Sequence, residues 1–267
     1  MSPINGGARQ MQYDAVILAG GESTSELKKI APYDNEALII IGNYPMIYYV
    51  FNALRDSNRI RNIVISGPVE ALRNIFPRQD NLFFATSGQD AIESFSHAVN
   101  VLQEQDEISE KILILPTDIP FITTAAIEDF ISQCESNEAD FYYPVTSKEV
   151  NEVKFPGVSR TYVNLKEGTF TGGNLFFIRT RVIDQCLDIG LKLVKRRKNP
   201  VAMARLFGFA LVWKFVFKQL GIPMIKQRFY EVTGIKGEAI ISQYAEVGVD
   251  VDKPSDLTLA QQYLAAK

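Results

Sequence analysis

The sequence predicts an α/β fold, in which a mainly parallel mixed sheet is flanked by helices. Short apolar runs, typical of buried strands, alternate along the chain with segments whose apolar residues recur at helical spacing. The first run, 13–19, ends at a double glycine, and a later run, 111–115, ends at Pro116. Alternation of this kind indicates right-handed βαβ units and a mostly parallel sheet.

The predicted elements follow one another regularly in the first half of the chain and less regularly after residue 139. Apolar runs predict strands at 13–19, 61–66, 82–85, 111–115, 140–145, 173–178 and 238–242. Apolar residues at helical spacing predict helices at 45–56, 69–75, 89–105 and 254–265.

Length and composition favour a single globular domain. A chain of 267 residues with 46% hydrophobic and 22% charged residues is typical of soluble proteins. We expect one domain at 13–267, preceded by a flexible polar arm at 1–12 that lacks the apolar core of a signal peptide. The two cysteines have no metal-binding or redox spacing, which favours a reduced, cytoplasmic protein.

A basic and apolar segment interrupts this pattern. Residues 189–230 contain ten Lys or Arg and no Asp or Glu, although the whole chain has a net charge of −3. We interpret about 190–236 as a helical insert. Its longest apolar run is far shorter than the ~20 residues that cross a bilayer. Packing against protein, including a homodimer, and peripheral membrane contact through 192–220 both remain open, whereas no motif supports nucleic-acid binding.

Two polar features follow predicted strands, at the sheet edge where open α/β sheets bind ligands. Leu18-Ala19-Gly20-Gly21 closes the first strand, and its glycines let a nucleotide approach the main chain. Thr117-Asp118, between two prolines, follows the strand at 111–115. An aspartate there suits Mg²⁺, which takes one or two carboxylates together with substrate phosphates. A tight turn and a helix cap are the structural alternatives.

Two further motifs complete the candidate site. Asp250 and Asp252 alternate along an extended stretch, so both side chains point the same way. One could complete a metal site while the other caps the last helix. Gly172-Gly173-Asn174 combines flexible backbone with a side chain that both donates and accepts, although a simple hairpin turn is equally consistent with it.

Taken in order, these motifs resemble those of MobA-like NTP transferases, the molybdenum-cofactor guanylyltransferase type. The shared pieces are Leu18-Ala19-Gly20-Gly21, Pro116-Thr117-Asp118-Ile119-Pro120, Gly172-Gly173-Asn174 and Asp250-Val251-Asp252-Lys253-Pro254. The resemblance implies a GT-A-like, Rossmann-type sheet, shared with CMP-KDO synthetase and the cytidylyltransferases of isoprenoid synthesis. It also implies transfer of a nucleotidyl group from NTP to a phosphate or similar acceptor, with release of pyrophosphate. We expect the transfer to depend on Mg²⁺ and the acceptor to be a small molecule or a lipid-linked compound.

The resemblance also assigns roles to individual residues. Asp118 and Asp252, with Asp250 as the alternative, would hold Mg²⁺. The nucleotide would contact Leu18, Ala19, Gly20, Gly21, Ser87, Gly88, Ser94 and Thr117. The acceptor would contact Gly172, Gly173 and Asn174. Independently of the resemblance, the basic residues Lys154 and Arg160 are further candidates for acceptor contacts.

One position departs from the family pattern. Relatives follow the glycines with basic residues that clamp the triphosphate, whereas Glu36 stands here where a lysine is expected. Lys28 or Lys29 could substitute for it. A carboxylate beside phosphate oxygens repels them unless a cation intervenes. The sequence therefore supports two functions, a nucleotidyltransferase and a non-catalytic nucleotide or nucleotide-sugar binding protein.

Overall fold

The computed structural model describes residues 11–105, 107–196 and 219–265. The main sheet is formed by β1 (Tyr13–Leu18), β4 (Ile60–Gly67), β5 (Leu82–Thr86), β6 (Lys111–Pro116), β7 (Phe141–Ser147), β8 (Val163–Leu165), β9 (Gly168–Gly172), β10 (Phe176–Arg179) and β11 (Gly237–Ser242). A separate small hairpin consists of β2 (Ile40–Ile41) and β3 (Tyr44–Pro45).

The first four strands of the main sheet form its parallel half. They lie side by side in the order β5-β4-β1-β6, and each neighbouring pair is parallel. The chain therefore runs outward from β1 to β4 and β5, and then returns to the other side of β1 to form β6. The gap between the carboxyl ends of β1 and β6 is the switch point at which such sheets bind ligands.

The second half of the sheet is mixed, and here the prediction from the sequence was partly wrong. The sheet continues as β6-β10-β7-β9-β8, with antiparallel neighbours, and β11 pairs in parallel with β7. Of the strand predicted at 173–178, only the second half is found, as β10, because β9 ends at Gly172, β10 begins at Phe176 and residues 173–175 connect the two. The backbone amides of Gly173 and Asn174 bond outside the ladder, to the carbonyls of Pro144 and Val247.

Helices cover both faces of the sheet. They are α1 (Ser25–Lys28), α2 (Met46–Arg55), α3 (Val69–Ile75), α4 (Ala91–Gln105), α5 (Thr124–Glu135), α6 (Lys148–Lys154), α7 (Ile183–Arg196), α8 (Ile222–Thr233) and α9 (Pro254–Leu264), with 3-10 turns at Glu36–Leu38, Thr180–Val182 and Ala245–Gly248. Alternate side chains of β1 separate the two cores. Ala15 and Ile17 pack with α2 and α5, whereas Val16 packs with α4 and α7.

The cap of the last helix also differs from the expectation. Neither Asp250 nor Asp252 caps α9. The N-cap is Lys253, and the carboxylate of Asp256 accepts its backbone N–H at 3.0 Å. Both earlier aspartates are consequently available to the site.

The predicted insert at 190–236 is described only at its ends, where it forms the end of α7 and the whole of α8. Residues 197–218, which include most of the proposed membrane or dimer contact at 192–220, lie outside the described residues.

In the parts of the chain that the structure describes, no helix is long and apolar enough to span a membrane.

Candidate active site at the strand switch point

The glycine turn after β1 lies against the loop after β5. Ala19 continues the parallel ladder by donating its N–H to the Ser66 carbonyl at 2.7 Å. A Cβ placed on Gly20 would lie only 2.7 Å from the Cβ of Ser87, so a side chain at Gly20 would clash. The Gly88 N–H donates to the hydroxyl of Ser94 at 3.0 Å, which ties this loop to α4. The fold thus brings together two groups of residues that the resemblance assigned to the nucleotide.

The segment that follows the glycines folds back onto them. The side-chain amide of Asn35 donates to the Ala19 carbonyl at 2.8 Å, and the Glu36 N–H donates to the Gly21 carbonyl at 3.2 Å. These bonds place the Glu36 carboxylate over the turn, where its Oε1 would lie 2.0 Å from a Cβ on Gly21. A side chain at position 21 would therefore displace the Glu36 carboxylate from this place.

Three aspartates converge on the other side of the switch point. Asp118 follows β6, and its carbonyl accepts the N–H of Val251 at 2.7 Å. This bond fixes the extended stretch that carries Asp250 and Asp252. One carboxylate oxygen from each of the three aspartates lies within 4.8 Å of the other two. The predicted alternation of Asp250 and Asp252 toward a common site is consistent with this arrangement.

Burial and mutual repulsion act together on this carboxylate cluster. The pKa of Asp118 is raised well above its ordinary range by burial, and then by the charges of Glu36, Asp250 and Asp252. Burial is also the main reason that the pKa of Asp252 is raised, followed by the charge of Asp250. Burial and the charges of Asp252 and Asp250 raise the pKa of Glu36 to about 7. The folded protein consequently holds four acidic groups that repel one another.

The carboxylate cluster fits a hard divalent cation. The Oδ1 atom of Asp118 is buried and has no hydrogen-bond partner, which is costly for a polar atom unless a ligand supplies one. The donors are all carboxylate oxygens, which Mg²⁺ and Mn²⁺ prefer. Asp252 is exposed, so solvent and substrate can reach this cluster from its side.

Arg160, predicted as an acceptor contact, pairs with one of the aspartates. Its guanidinium forms an ion pair with Asp250 in which the two side chains are only 14% and 18% exposed. The Arg160 Nε atom is buried and unpartnered. Sequence spacing gave no indication of this pair, because Arg160 lies in an irregular stretch before β8.

The two glycines at the end of β9 are closely packed rather than open. A Cβ on Gly172 would lie 2.2 Å from the Tyr143 hydroxyl, and one on Gly173 would lie 2.7 Å from the Pro144 ring. Asn174 has a buried side-chain nitrogen without a hydrogen-bond partner. This region adjoins the 3-10 turn that precedes Asp250, since the Asn174 N–H bonds to a carbonyl of that turn.

Two of the predicted lysines pair with acidic residues outside the carboxylate cluster, and the third is exposed. Lys28 forms an exposed ion pair with Asp34 at 2.9 Å, and Lys29 is exposed. Lys154 is the last residue of α6, and its Nζ lies 3.5 Å from the Oε1 atom of Glu246. In contrast, Thr117 is fully buried beside Asp118, and its hydroxyl oxygen has no hydrogen-bond partner.

The fold and the site together define a class, that of α/β proteins with a ligand site at the switch point of a mainly parallel sheet. Within that class, residues 15–203 match the model of the MobA-like NTP transferase domain. The chain belongs to this family.

Solved structures agree with this assignment. A hypothetical transferase from Thermus thermophilus is 29% identical, with a TM-score of 0.78 over 92% of this chain and 100% of that one. 4-diphosphocytidyl-2C-methyl-D-erythritol synthase from Anaerococcus prevotii is 13% identical, with a TM-score of 0.57 over 95% and 96% of the two chains. CMP:2-keto-3-deoxy-manno-octonic acid synthetase, solved with CTP, is 12% identical, with a TM-score of 0.58 over 96% and 99%.

The last two similarities concern the fold alone. No curated protein sequence matches the chain.

Proposed function

We propose that the protein is a Mg²⁺-dependent nucleotidyltransferase, which moves an NMP group from NTP to an acceptor and releases pyrophosphate. The observation that carries the proposal is the buried, unpartnered Oδ1 of Asp118, with Asp250 and Asp252 beside it at the switch point. A divalent cation held there would neutralise phosphate charge during attack on the α-phosphate. Family membership supports the reaction class.

The chain's own residues would bind and orient the nucleotide. The main chain of 18–21 and the adjoining loop with Ser87 and Gly88 would receive the base and ribose, and Thr117 would lie beside the phosphates. Ser94 holds the loop through its bond from Gly88. Such positioning can supply a large part of the acceleration of an in-line displacement.

The acceptor site would lie beyond the cation site, toward Gly172-Gly173-Asn174. Arg160 and Lys154 are basic residues on that side, and Arg160 reaches the carboxylate cluster through Asp250. We propose a phosphorylated small molecule or a lipid-linked compound as the acceptor. Guanylyl transfer to the molybdenum cofactor is the named alternative. We expect the reaction to take place in the cytoplasm.

A pyrophosphate-release assay tests the proposal. Each of the four NTPs is incubated with Mg²⁺, the full chain and either the small-molecule or the lipid fraction of a cell extract. Asp118→Asn should abolish release, whereas Asp80→Asn, an exposed residue before β5, should not change it. Full activity of Asp118→Asn would refute the role of the buried carboxylate.

One observation favours a second function. Glu36 places a carboxylate over the glycine turn that would receive the nucleotide. A protein with this feature could bind a nucleotide or nucleotide sugar without turning it over. Calorimetric titration separates the two functions: tight NTP binding together with no pyrophosphate release from any fraction would favour the non-catalytic protein.

A further inference from the structure

A cavity of about 300 Å³ lies between the sheet and the helices that cover one of its faces. Its sheet wall includes Leu18 of β1 and Ile114 of β6, and its helix wall includes Phe95 of α4 and Leu187 of α7. Among the described residues that line it, the thiol of Cys186 is the most polar side chain. The cavity therefore suits a ligand, or part of a ligand, that has no polar groups.

A second cavity, of about 290 Å³, adjoins the first beneath α8. Phe141, Phe176 and Phe229 line both cavities, so the two share a wall. The charged side chains among the described residues that line the second cavity are Lys226 and Glu238, and these pair with each other at 2.5 Å. The two cavities together, named the apolar chamber below, thus offer a ligand apolar contacts and no unpaired charge.

The apolar chamber adjoins the candidate active site at two points. Leu18, which lines the first cavity, is followed directly by Ala19 and the glycine turn. Tyr143, which lines the second cavity, has its hydroxyl 2.2 Å from the place of a Cβ on Gly172. The segments assigned to the nucleotide and to the acceptor therefore both border the chamber, and a molecule held at the site can extend a chain into it.

The size and chemistry of the apolar chamber favour a hydrocarbon chain over a protein segment. One turn of an α-helix, about 10 Å wide and about 5.4 Å high, occupies about 400 Å³, which is more than either cavity holds. An extended segment would bring in N–H and C=O groups that apolar side chains cannot satisfy. A hydrocarbon chain has no such groups, and apolar cavities of only ~150 Å³ already bind small hydrocarbons.

We propose that the apolar chamber binds the hydrocarbon chain, acyl or isoprenoid, of a lipid-linked acceptor whose polar end lies at the candidate active site. The inference rests on the proposed function, and it selects one of the two acceptor classes named there. A phosphorylated small molecule would leave the chamber without a ligand. A chain would instead gain burial and the dispersion contacts that the apolar wall provides.

Calorimetric titration of the full chain in EDTA tests the inference, with n-butyl, n-octyl and n-dodecyl monophosphate below their micelle concentrations and inorganic phosphate as the chainless reference. The affinity should rise about 4-fold for each added methylene until the chamber is filled. Geranyl and n-decyl monophosphate distinguish the two kinds of chain. Stronger binding of the first identifies an isoprenoid chain, and stronger binding of the second identifies an acyl chain.

Two substitutions that fill the chamber test where the chain binds. Ala91→Phe and Cys186→Phe each place a ring in the first cavity and should weaken binding of n-dodecyl monophosphate about 10-fold, the equivalent of roughly two buried methylenes. Ala125→Phe is the matched control, since Ala125 is exposed on α5 and lines neither cavity. Unchanged affinity in both filling variants would overturn the inference. If both melt far below the wild type, the chain-length series decides, because it needs no substitution.

Failure of this inference is distinguishable from failure of the proposed function. An affinity that does not depend on chain length would overturn the inference, because it would show that the chamber is filled by protein, either this chain or a second copy. Pyrophosphate release would still test the transferase. Release with the small-molecule fraction alone would overturn the inference while supporting the transferase. Chain-length-dependent binding together with release from the lipid fraction alone would support both.

Discussion

Replacing Glu36 by glutamine should stabilise the metal-free protein at high pH. The folded protein raises the pKa of Glu36 from its ordinary 4.5 to about 7, through burial and the charges of Asp252 and Asp250. At about 1.4 kcal/mol per pKa unit, that difference corresponds to about 3 kcal/mol of lost folding free energy once the group is ionised. Because neighbouring Asp118 titrates with it, we expect about 1–3 kcal/mol, or a rise in Tm of several degrees.

The sign of this effect follows from the direction of the shift. Below pH 4.5 the carboxyl of Glu36 is protonated in both the folded and the unfolded chain, so the substitution changes little. Between pH 4.5 and about 7 the unfolded chain loses its proton first, and the wild type therefore loses stability as the pH rises. Above pH 7 the penalty is complete, and Glu36→Gln avoids it.

Thermal melting in EDTA at pH 5 and pH 8 measures this difference. Glu36→Gln should melt well above the wild type at pH 8 and close to it at pH 5, and added Mg²⁺ should narrow the gap at pH 8. Glu26→Gln should match the wild type under all three conditions. A Glu36→Gln protein no more stable than the wild type at pH 8, or equally stabilised at both pH values, would show that the carboxylate is not under electrostatic strain.

Three other substitutions test neighbouring parts of the structure. Arg160→Gln removes the ion-pair partner of Asp250, so the free energy of unfolding measured in EDTA should fall by ~1–3 kcal/mol and should recover with Mn²⁺; no loss in EDTA would contradict the pairing. Asp14 is buried at the end of β1 that lies away from the glycine turn, where it pairs with Arg61. Asp14→Asn breaks this ion pair, so urea unfolding should show a free energy of unfolding lower by ~3 kcal/mol, while the affinity for NTP stays unchanged. Gly173→Ala places a Cβ 2.7 Å from a proline side chain, so urea unfolding should show a loss of ~1–3 kcal/mol, and wild-type stability would disprove the tight packing.

The parallel half of the fold could be predicted because its signals are local. Each strand there is an apolar run, and the strand that ends at Leu18 is closed by glycines that are visible in the sequence. The β8–β9 hairpin was not predicted, since its short strands are only partly buried and carry little apolar pattern. Likewise, the break between Gly172 and Phe176 depends on hydrogen bonds to distant carbonyls, which no local pattern records.

The site residues also divide into those with a local sequence signal and those placed by tertiary contacts. Asp118 and the alternating Asp250 and Asp252 could be predicted from their positions after strands and in family motifs. The place of Glu36 could not, because the sequence alone indicated a conflict with phosphate and not a carboxylate packed against the glycine turn. Its position follows from the return of Asn35 to the first strand, a tertiary contact. The pairing of Arg160 with Asp250 is equally non-local.

The bond between the Val251 N–H and the Asp118 carbonyl has a consequence for biosynthesis. The glycine turn and Asp118 emerge from the ribosome early, whereas Asp250 and Asp252 follow only after β11 has been made. A nascent chain can therefore form the parallel strands while two of the three aspartates of the cluster are still missing. In that state the Asp118 carboxylate is spared the repulsion of two later neighbours. Assembly of the cluster is postponed until the rest of the sheet can support it.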